Sequence, residues 1–252
     1  MAGNESGKTC TVEVFRYNPE TDSAPRFQSF QVPFHEEWGV VDALNYIKWE
    51  LDGSLAYRYS CRMGVCGSCG MMVNGTPRLT CASFLKDYYP SPIRIEPLAG
   101  FPVIRDLVID LDSFLDKLES LKTWLIPKEE KTVDQGEFKQ LPIQLAEYKQ
   151  YTLCINCLCC YAACPVYVND PHFLGPAAIA LAQRYNMDSR DGAAKERLDM
   201  ILSDPGAWEC GVVEECSVVC PKHVDPASAI QKAKMQGAQD WWVGMIAPGG
   251  KR

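Results

Sequence analysis

The sequence predicts an α+β protein in which a β-rich N-terminal domain is followed by an all-α C-terminal domain. Up to about residue 110, short segments alternate apolar and polar residues, as half-buried strands do. Beyond that point apolar residues recur at helical spacing, and most of the thirteen cysteines fall into two groups, one in each half of the chain. We expect a β-rich domain over 1–106, a connecting helix and linker over 107–144, and a helical domain over 145–252.

The first domain contains two predicted hairpins. Residues 11–17 and 27–32 alternate on either side of a proline-containing loop, so they predict a pair of antiparallel strands. Asn74-Gly75 predicts the tight turn of a second hairpin over 71–79. The other elements expected in this domain are a helix over 40–51 and short strands over 57–59 and 93–97.

The rest of the chain predicts helices joined by an exposed linker. Residues 110–121 form an amphipathic pattern, whereas residues 128–137 are charged and without periodicity, which is typical of a solvated connection. Further helices are expected over 176–185, where Pro176 stands at a helix start, and over 227–235.

Four cysteines of the first domain have the spacing C-x4-C-x2-C…C of plant-type [2Fe–2S] ligands: Cys61, Cys66, Cys69 and Cys81. Gly64, Gly67 and Gly70 lie among them. A loop that folds around an iron–sulfur core needs positive φ angles and brings backbone N–H groups close to the sulfurs. The pattern therefore predicts a plant-type ferredoxin domain of the β-grasp fold. The alternative is that the four thiols are simply buried in a core.

The second group of cysteines contains two related runs. The first, from Cys154 to Pro165, reads C-x2-C-x2-C-x3-C-P, in which the last cysteine serves another cluster in two-cluster bacterial ferredoxins. The second, from Cys210 to Pro221, has the same spacing but carries Val213 where the second cysteine would stand. A site that lacks one thiolate cannot hold the fourth iron of a cubane.

These spacings assign the remaining ligands. We assign a [4Fe–4S] cluster to Cys154, Cys157, Cys160 and Cys220. We assign a [3Fe–4S] cluster to Cys164, Cys210 and Cys216. Cys159 falls outside the spacing and is interpreted as a buried spectator thiol. A pair of zinc sites is the alternative, since C-x2-C also suits tetrahedral zinc, but the first run holds more thiolates than zinc uses.

Composition excludes several classes of protein. The net charge of −7 provides no basic stripe for binding nucleic acid. The start of the chain, residues 1–6, lacks the basic and apolar regions of a secretory signal, so reduced, metal-bound cysteines in the cytoplasm are expected rather than disulfides. No run approaches the ~20 apolar residues of a membrane-spanning helix, which leaves open that the protein docks on a membrane.

One chain with these two cluster domains resembles the iron–sulfur subunit of the succinate dehydrogenase/fumarate reductase family (respiratory complex II). The resemblance covers roughly residues 11–235, with all eleven ligand positions filled. The segments 60–63, 69–74 and 220–226 are similar in particular to bacterial fumarate reductase subunits.

The resemblance implies a role and three kinds of partner. A flavoprotein with covalent FAD would interconvert succinate and fumarate, and one or two transmembrane subunits would bind quinone, usually with haem b. Electrons would pass between FAD and quinone through the clusters in the order two-iron, four-iron and three-iron, or in reverse. The chain itself would make and break no substrate bond. It would lie peripherally on the cytoplasmic face of a bacterial plasma membrane.

The resemblance also implies a quinone pocket beside the three-iron cluster. Its residues here would be Pro165, Gln231 and Lys234, of which Lys234 would supply a proton or a charge to a quinone oxygen. Ubiquinone-reducing relatives carry a tryptophan pair shortly after the Cys-Pro, whereas this chain has residues 166–170 without one, which favours menaquinone.

Two other classes of protein fit parts of the pattern. One is a soluble ferredoxin-like carrier, or the iron–sulfur subunit of another flavin-linked dehydrogenase. The other is a zinc-stabilised interaction module without a redox role.

Overall fold

The computed structural model describes residues 7–246, which form two compact units. The first unit contains the described residues up to Leu111 together with Ile155–Ala163. The second contains Asp112–Cys154 and the described residues from Cys164 onward. The expectation about residues 1–6 concerns a segment outside the described residues. The predicted fold class is confirmed, because the first unit is built on a sheet and the second is helical.

Five strands of the first unit form one mixed sheet. They are β1 (Thr9–Arg16), β2 (Arg26–Pro33), β3 (Gly70–Val73), β4 (Thr76–Leu79) and β5 (Ile93–Glu96). Their order is β2-β1-β5-β3-β4, with β1 and β5 parallel and the other neighbours antiparallel. Both predicted hairpins and the strand near residue 95 are confirmed. In β1 alternate side chains are buried, including Cys10, Val12 and Val14, because successive side chains of a strand point to opposite faces.

The predicted helix of the first unit packs on this sheet. It is α1 (Val40–Tyr46), followed by a π-helical turn over Ile47–Leu51. Its apolar face, which includes Ala43 and Leu44, is buried in the same core as the sheet. Two further strands, which the sequence pattern did not predict, form a small hairpin: β6 (Val103–Arg105) and β7 (Val108–Ile109).

The strand predicted over residues 57–59 was wrong, because these residues pair with no described strand. Two aromatic contacts take the place of strand pairing. The hydroxyl of Tyr57 donates to Oδ1 of buried Asn45 at 2.6 Å, and the Tyr57 ring stacks on the Tyr59 ring with centroids 5.5 Å apart.

A buried arginine ties separate parts of the first unit together. Arg16, at the end of β1, bonds to Asp52 at 2.6 Å and to Asp106 in the β6–β7 turn at 3.1 Å. Its remaining donors are satisfied by Ser54 and Gln28. Full pairing of this kind is what makes a buried guanidinium tolerable.

Short helices dominate the rest of the chain. The helices are α2 (Asp112–Ser120), α3 (Pro142–Tyr148), α4 (Cys159–Ala162), α5 (Pro165–Asn169), α6 (Pro176–Asn186), α7 (Ala194–Leu202), α8 (Glu215–Val218) and α9 (Pro226–Ile246), of which α4 belongs to the first unit. The predictions for α2 and α6 are confirmed to within two residues. Helix α9 is confirmed but extends eleven residues further than predicted, to Ile246. Residues 128–137 are exposed, as expected, and the residue that follows them, Phe138, is half-buried.

The second unit also contains a fully buried ion pair. Arg197 of α7 meets Asp191 through two parallel hydrogen bonds of 3.1 Å, and neither side chain is exposed. Among residues 7–246, no helix combines the length and apolar character that crossing a bilayer requires.

Candidate cluster-binding sites

The β3–β4 hairpin brings two of the predicted two-iron ligands together. Cys69 directly precedes β3 and Cys81 follows β4, and because Gly70 pairs with Leu79 the two cysteines emerge at the same end. Their sulfurs are 3.3 Å apart. The amide of Thr80 donates to the Cys69 carbonyl at 3.0 Å and closes this end of the hairpin.

The loop before the hairpin directs backbone donors at a third sulfur. The amides of Met63, Val65 and Cys66 donate to Sγ of Cys61 at 3.5, 3.3 and 3.3 Å. These donors lower the pKa of Cys61 to about 6, because hydrogen bonds to the charged form favour it. The loop therefore favours a thiolate at this position, which is the form that binds iron.

The sulfur of Cys81 is more shielded from solvent than that of Cys61. Burial, and then its contact with Cys69, raises the pKa of the Cys81 thiol to about 12. The amide of Gly64 donates to its sulfur at 3.3 Å. Metal binding displaces the thiol proton, so a backbone donor already aimed at the sulfur fits an anionic cluster at this site.

The fourth sulfur has a side-chain donor. Sγ of exposed Cys66 lies 3.0 Å from Oγ of Ser68. A cysteine that ligates iron has no proton to donate, so the Ser68 hydroxyl is then the donor. The sequence pattern singled out the cysteines and glycines of this loop but not Ser68.

The three predicted three-iron ligands are brought together in the second unit. Cys164, Cys210 and Cys216 line a single pocket, with apolar walls that include Phe173 and Val213. Burial raises the pKa of Cys164 and raises that of Cys216 to about 11. Three thiols around one apolar pocket fit a cluster with three irons, which supplies the positive charge that keeps such sulfurs deprotonated.

The two cysteine runs share a backbone conformation. In the first run Asn156 and Leu158 have φ angles of 53° and 62°, and in the second Val212 and Glu214 have 58° and 66°. These residues stand two and four positions after the first cysteine of each run. The second residue of each pair caps a one-turn helix, α4 or α8, through equivalent backbone bonds.

Val213 therefore occupies the position in its loop that Cys157 occupies in the first. The left-handed conformation of Val212 is unusual, because a β-branched residue with positive φ is an outlier. Its presence indicates that the loop shape is retained although the ligand is missing.

The structure describes the predicted four-iron ligands in two separate groups. Cys154 and Cys220 pack against a core of the second unit that includes Tyr151, whereas Cys157 and Cys160 belong to the first unit. The assignment of these four residues stays a prediction.

Within residues 7–246, no three His, Cys, Asp or Glu side chains converge as ligands of a single metal ion do. Ligands of a polynuclear cluster differ in this respect, since they surround a volume of iron and sulfide rather than a single point.

The cysteine outside the ligand spacing is fully buried. Cys159 forms a hydrogen bond with Cys157, which is the main cause that raises the pKa of Cys159 and lowers that of Cys157 to about 7. The Cys159 thiol is thus a donor to the predicted ligand. Cys10 is likewise buried, in the core of the first unit.

Two of the three residues expected at a quinone pocket, Pro165 and Lys234, lie close to the three-thiol site. Pro165 lines the pocket, and Nζ of Lys234 donates to the carbonyl of Cys210 at 2.8 Å. The same ammonium lies 5.8 Å from the ring centroid of Trp208, which the sequence pattern did not indicate. Nε2 of Gln231 is buried and has no hydrogen-bond partner among the described residues.

Two family models match the chain. Residues 11–116 match a 2Fe-2S iron-sulfur cluster binding domain, and residues 150–224 match a 4Fe-4S dicluster domain. The chain is 57% identical over 227 residues to the fumarate reductase iron-sulfur subunit of Mycobacterium tuberculosis, covering 90% of this chain and 92% of that protein. It is 37% identical over 233 residues to the succinate dehydrogenase iron-sulfur subunit of Coxiella burnetii, covering 91% of this chain and 97% of that protein.

A solved structure has the same fold. A chain of the Mycobacterium smegmatis Sdh1 complex in the apo form superimposes with a TM-score of 0.85 at 24% identity, covering 93% of this chain and 97% of that chain.

Proposed function

Because the chain belongs to the family of fumarate reductase and succinate dehydrogenase iron–sulfur subunits, we propose that it relays electrons between the FAD of a flavoprotein subunit and a quinone held by one or two transmembrane subunits. As a member of this family it is an electron-transfer subunit of an oxidoreductase complex. In our proposal succinate and fumarate react in the flavoprotein, and this chain lies peripherally on the cytoplasmic face of the membrane.

The proposal assigns the ligands by spacing and by local structure. The two-iron ligands are Cys61, Cys66, Cys69 and Cys81. The four-iron ligands are Cys154, Cys157, Cys160 and Cys220. The three-iron ligands are Cys164, Cys210 and Cys216. When bound, these clusters supply one-electron carriers between the flavin and the quinone.

The groups around the ligand sulfurs determine how well each site stabilises negative charge. The amides that donate to Cys61 and the Ser68 hydroxyl that donates to Cys66 stabilise negative charge on the sulfurs of the first site. The pocket around Cys216 has apolar walls, which lower the local dielectric. Hydrogen bonding and burial of this kind are the means by which a protein sets a cluster's potential.

A quinone pocket is proposed beside the three-thiol site, formed with the membrane subunits. Gln231 presents a buried amide donor without a partner among residues 7–246, and Lys234 presents an ammonium held on the Cys210 carbonyl. Both groups suit a quinone oxygen, and menaquinone remains the favoured ligand. The exposed tryptophans 241 and 242 at the end of α9 offer an apolar surface to the same partners.

One observation carries the three-cluster assignment. The loop from Cys210 to Cys216 repeats the conformation of the loop from Cys154 to Cys160, yet carries Val213 in place of a ligand. A site with three thiolates is therefore expected beside one with four.

Low-temperature EPR of the purified complex tests the proposal. The oxidised sample should show a three-iron signal that disappears on reduction while two reduced-cluster signals appear. Cys216→Ala should abolish the three-iron signal alone, and Cys10→Ala, which removes a thiol of the core, should leave all three signals. An oxidised wild-type sample without the three-iron signal refutes the assignment.

A further inference from the structure

Two glycines of the two-iron cysteine motif, Gly67 and Gly70, lie against the backbone of a loop that carries predicted four-iron ligands. A β-carbon added to Gly67 would meet the carbonyl oxygen of Ile155 well inside 3.0 Å, and would lie 3.2 Å from both N and Cα of Cys157. Real β-carbons essentially never show contacts under 3.0 Å, and the obstacle is backbone rather than a flexible side chain. Alanine at this position therefore requires residues 155–157 to move.

Gly70, the first residue of β3, shows the same close approach. A β-carbon there would lie 2.6 Å from the carbonyl oxygen of Cys157, 3.4 Å from Leu98 and 3.6 Å from Sγ of Cys159. Gly70 does not have a positive φ, so backbone conformation does not explain why it is glycine. The lack of space for a β-carbon beside the Cys157 carbonyl explains it.

Both contacts lie inside the first unit, because Ile155–Ala163 belongs to it. They join the loop that carries the two-iron ligands to the loop that carries Cys157 and Cys160. The next residues, Leu158 and Cys159, are buried, so packing around them limits how far the second loop can move.

We propose that Gly67 and Gly70 are positioning residues for electron transfer: the absence of their side chains lets the two ligand loops meet backbone to backbone, and this contact sets the spacing between the two-iron and four-iron clusters. The inference rests on the proposed function, because it takes Cys157 and Cys160 to be cluster ligands. A β-carbon at Gly70 displaces the Cys157 carbonyl from 2.6 Å towards the ordinary contact distance of 3.4 Å. Such a displacement carries a ligand of the second cluster away from the first.

The test compares glycine-to-alanine variants in the purified complex. Gly70→Ala introduces the close contact without backbone strain. Gly53→Ala is the matched control, since Gly53 lies in the same unit, also lacks a positive φ, and an added β-carbon there would meet only the Lys48 carbonyl oxygen, at 3.7 Å. The measurement is the magnetic interaction between the two clusters when both are reduced, followed by EPR, because this interaction falls with the cube of their separation.

We expect Gly70→Ala to lose part of this interaction, or to lose the four-iron signal while the two-iron signal remains, and Gly53→Ala to retain the wild-type interaction. An unchanged interaction in Gly70→Ala overturns the proposal, as does an equal loss in Gly53→Ala. If Gly70→Ala forms no complex, Gly67→Ala is measured in the same way. Failure of both variants to assemble also overturns the proposal, because the glycines would then serve folding rather than spacing.

The result is separable from the proposed function. Wild-type complex that lacks the two-iron and four-iron signals refutes the cluster assignment before any variant is compared. Wild-type complex that shows both signals, with Gly70→Ala unchanged, refutes only the role of the glycines.

Discussion

Replacing Ser68 by alanine should lower the midpoint potential of the two-iron cluster, because it removes the hydroxyl that lies 3.0 Å from Sγ of Cys66. Reduction adds negative charge to the cluster and its sulfurs, so a donor to a ligand sulfur stabilises the reduced state more than the oxidised state. The other donors to this cluster's sulfurs described above are backbone amides, which substitution of a side chain does not remove. Ser68 is thus the donor whose contribution a point mutation isolates.

The magnitude follows from the strength of such bonds. A hydrogen bond to a charged group contributes about 1.5–3 kcal/mol. Because the bond exists in both oxidation states, only its strengthening on reduction changes the midpoint potential. The lower end of that range is therefore an upper limit on the free-energy change. For one electron a tenfold change in the equilibrium constant is about 59 mV, so we expect a decrease of roughly 30–60 mV.

The assay is a potentiometric titration followed by EPR on the purified complex. Ser68→Thr retains the hydroxyl and should keep the wild-type potential to within a small fraction of the shift. A midpoint potential in Ser68→Ala equal to that of wild type would show that the hydroxyl does not act on the cluster. A parallel shift of the other two clusters would indicate a general structural change instead.

Three further perturbations have definite expected outcomes. Val213→Cys should supply the missing ligand, so that a reduced four-iron signal replaces the oxidised three-iron signal and the iron content rises by one per chain. Val213→Ala adds no ligand and should keep the three-iron signal. Loss of that signal in Val213→Ala would contradict the interpretation. Arg197→Met should leave the buried Asp191 carboxylate without its ion-pair partner, although the amides of Ile126 and Ala193 still donate to it. The expected cost is about 3–5 kcal/mol, which should lower the melting temperature of the complex by on the order of 10 °C. A change below about 1 kcal/mol would contradict the importance of the buried ion pair. Asp52, whose pKa is lowered from 3.8 to about 2 by Ser54 and Arg16, contributes stability that is present above pH 3.8 and lost as the pH falls towards 2. Asp52→Asn should therefore lower the free energy of unfolding by about 1 kcal/mol at pH 7, allowing for solvent screening, and should have no effect near pH 2. Thermal unfolding at a series of pH values measures both. An equal loss of stability at all pH values would refute the linkage.

Candidate ligand residues could be proposed from the sequence because cysteine spacing within each run is a local property, and their assignment stays a prediction. The turn at Asn74-Gly75 was accessible for the same reason, since the left-handed φ angles of 48° and 78° at these two residues are those that Asn and Gly favour. Residues 57–59 have the alternation of a strand because two tyrosines stand two positions apart, but Tyr57 packs on the core and Tyr59 stacks on Tyr57 without strand pairing. The β6–β7 hairpin was missed because its strands have only three and two residues.

Other features depend on tertiary context that a local pattern does not contain. Nothing in the sequence of 155–163 indicates that this segment clusters with the first unit rather than with the helices around it. Val212 adopts a left-handed conformation against its own preference, because the loop around it imposes that shape. The motif predicts positive φ angles at its glycines, whereas Gly70 has none and is explained by the loop that lies against it.

The paired loops also bear on how cluster types diverge. Because the loop that ends at Cys216 keeps the shape of its counterpart from Cys154 to Cys160, the proposed difference in iron number between the two sites would depend on one side chain, Val213, rather than on a different backbone. A lineage could exchange one cluster type for the other through substitutions at a single codon, with the chain folding in the same way before and after. Redox properties at this end of the protein are therefore open to evolutionary change without any remodelling of the scaffold.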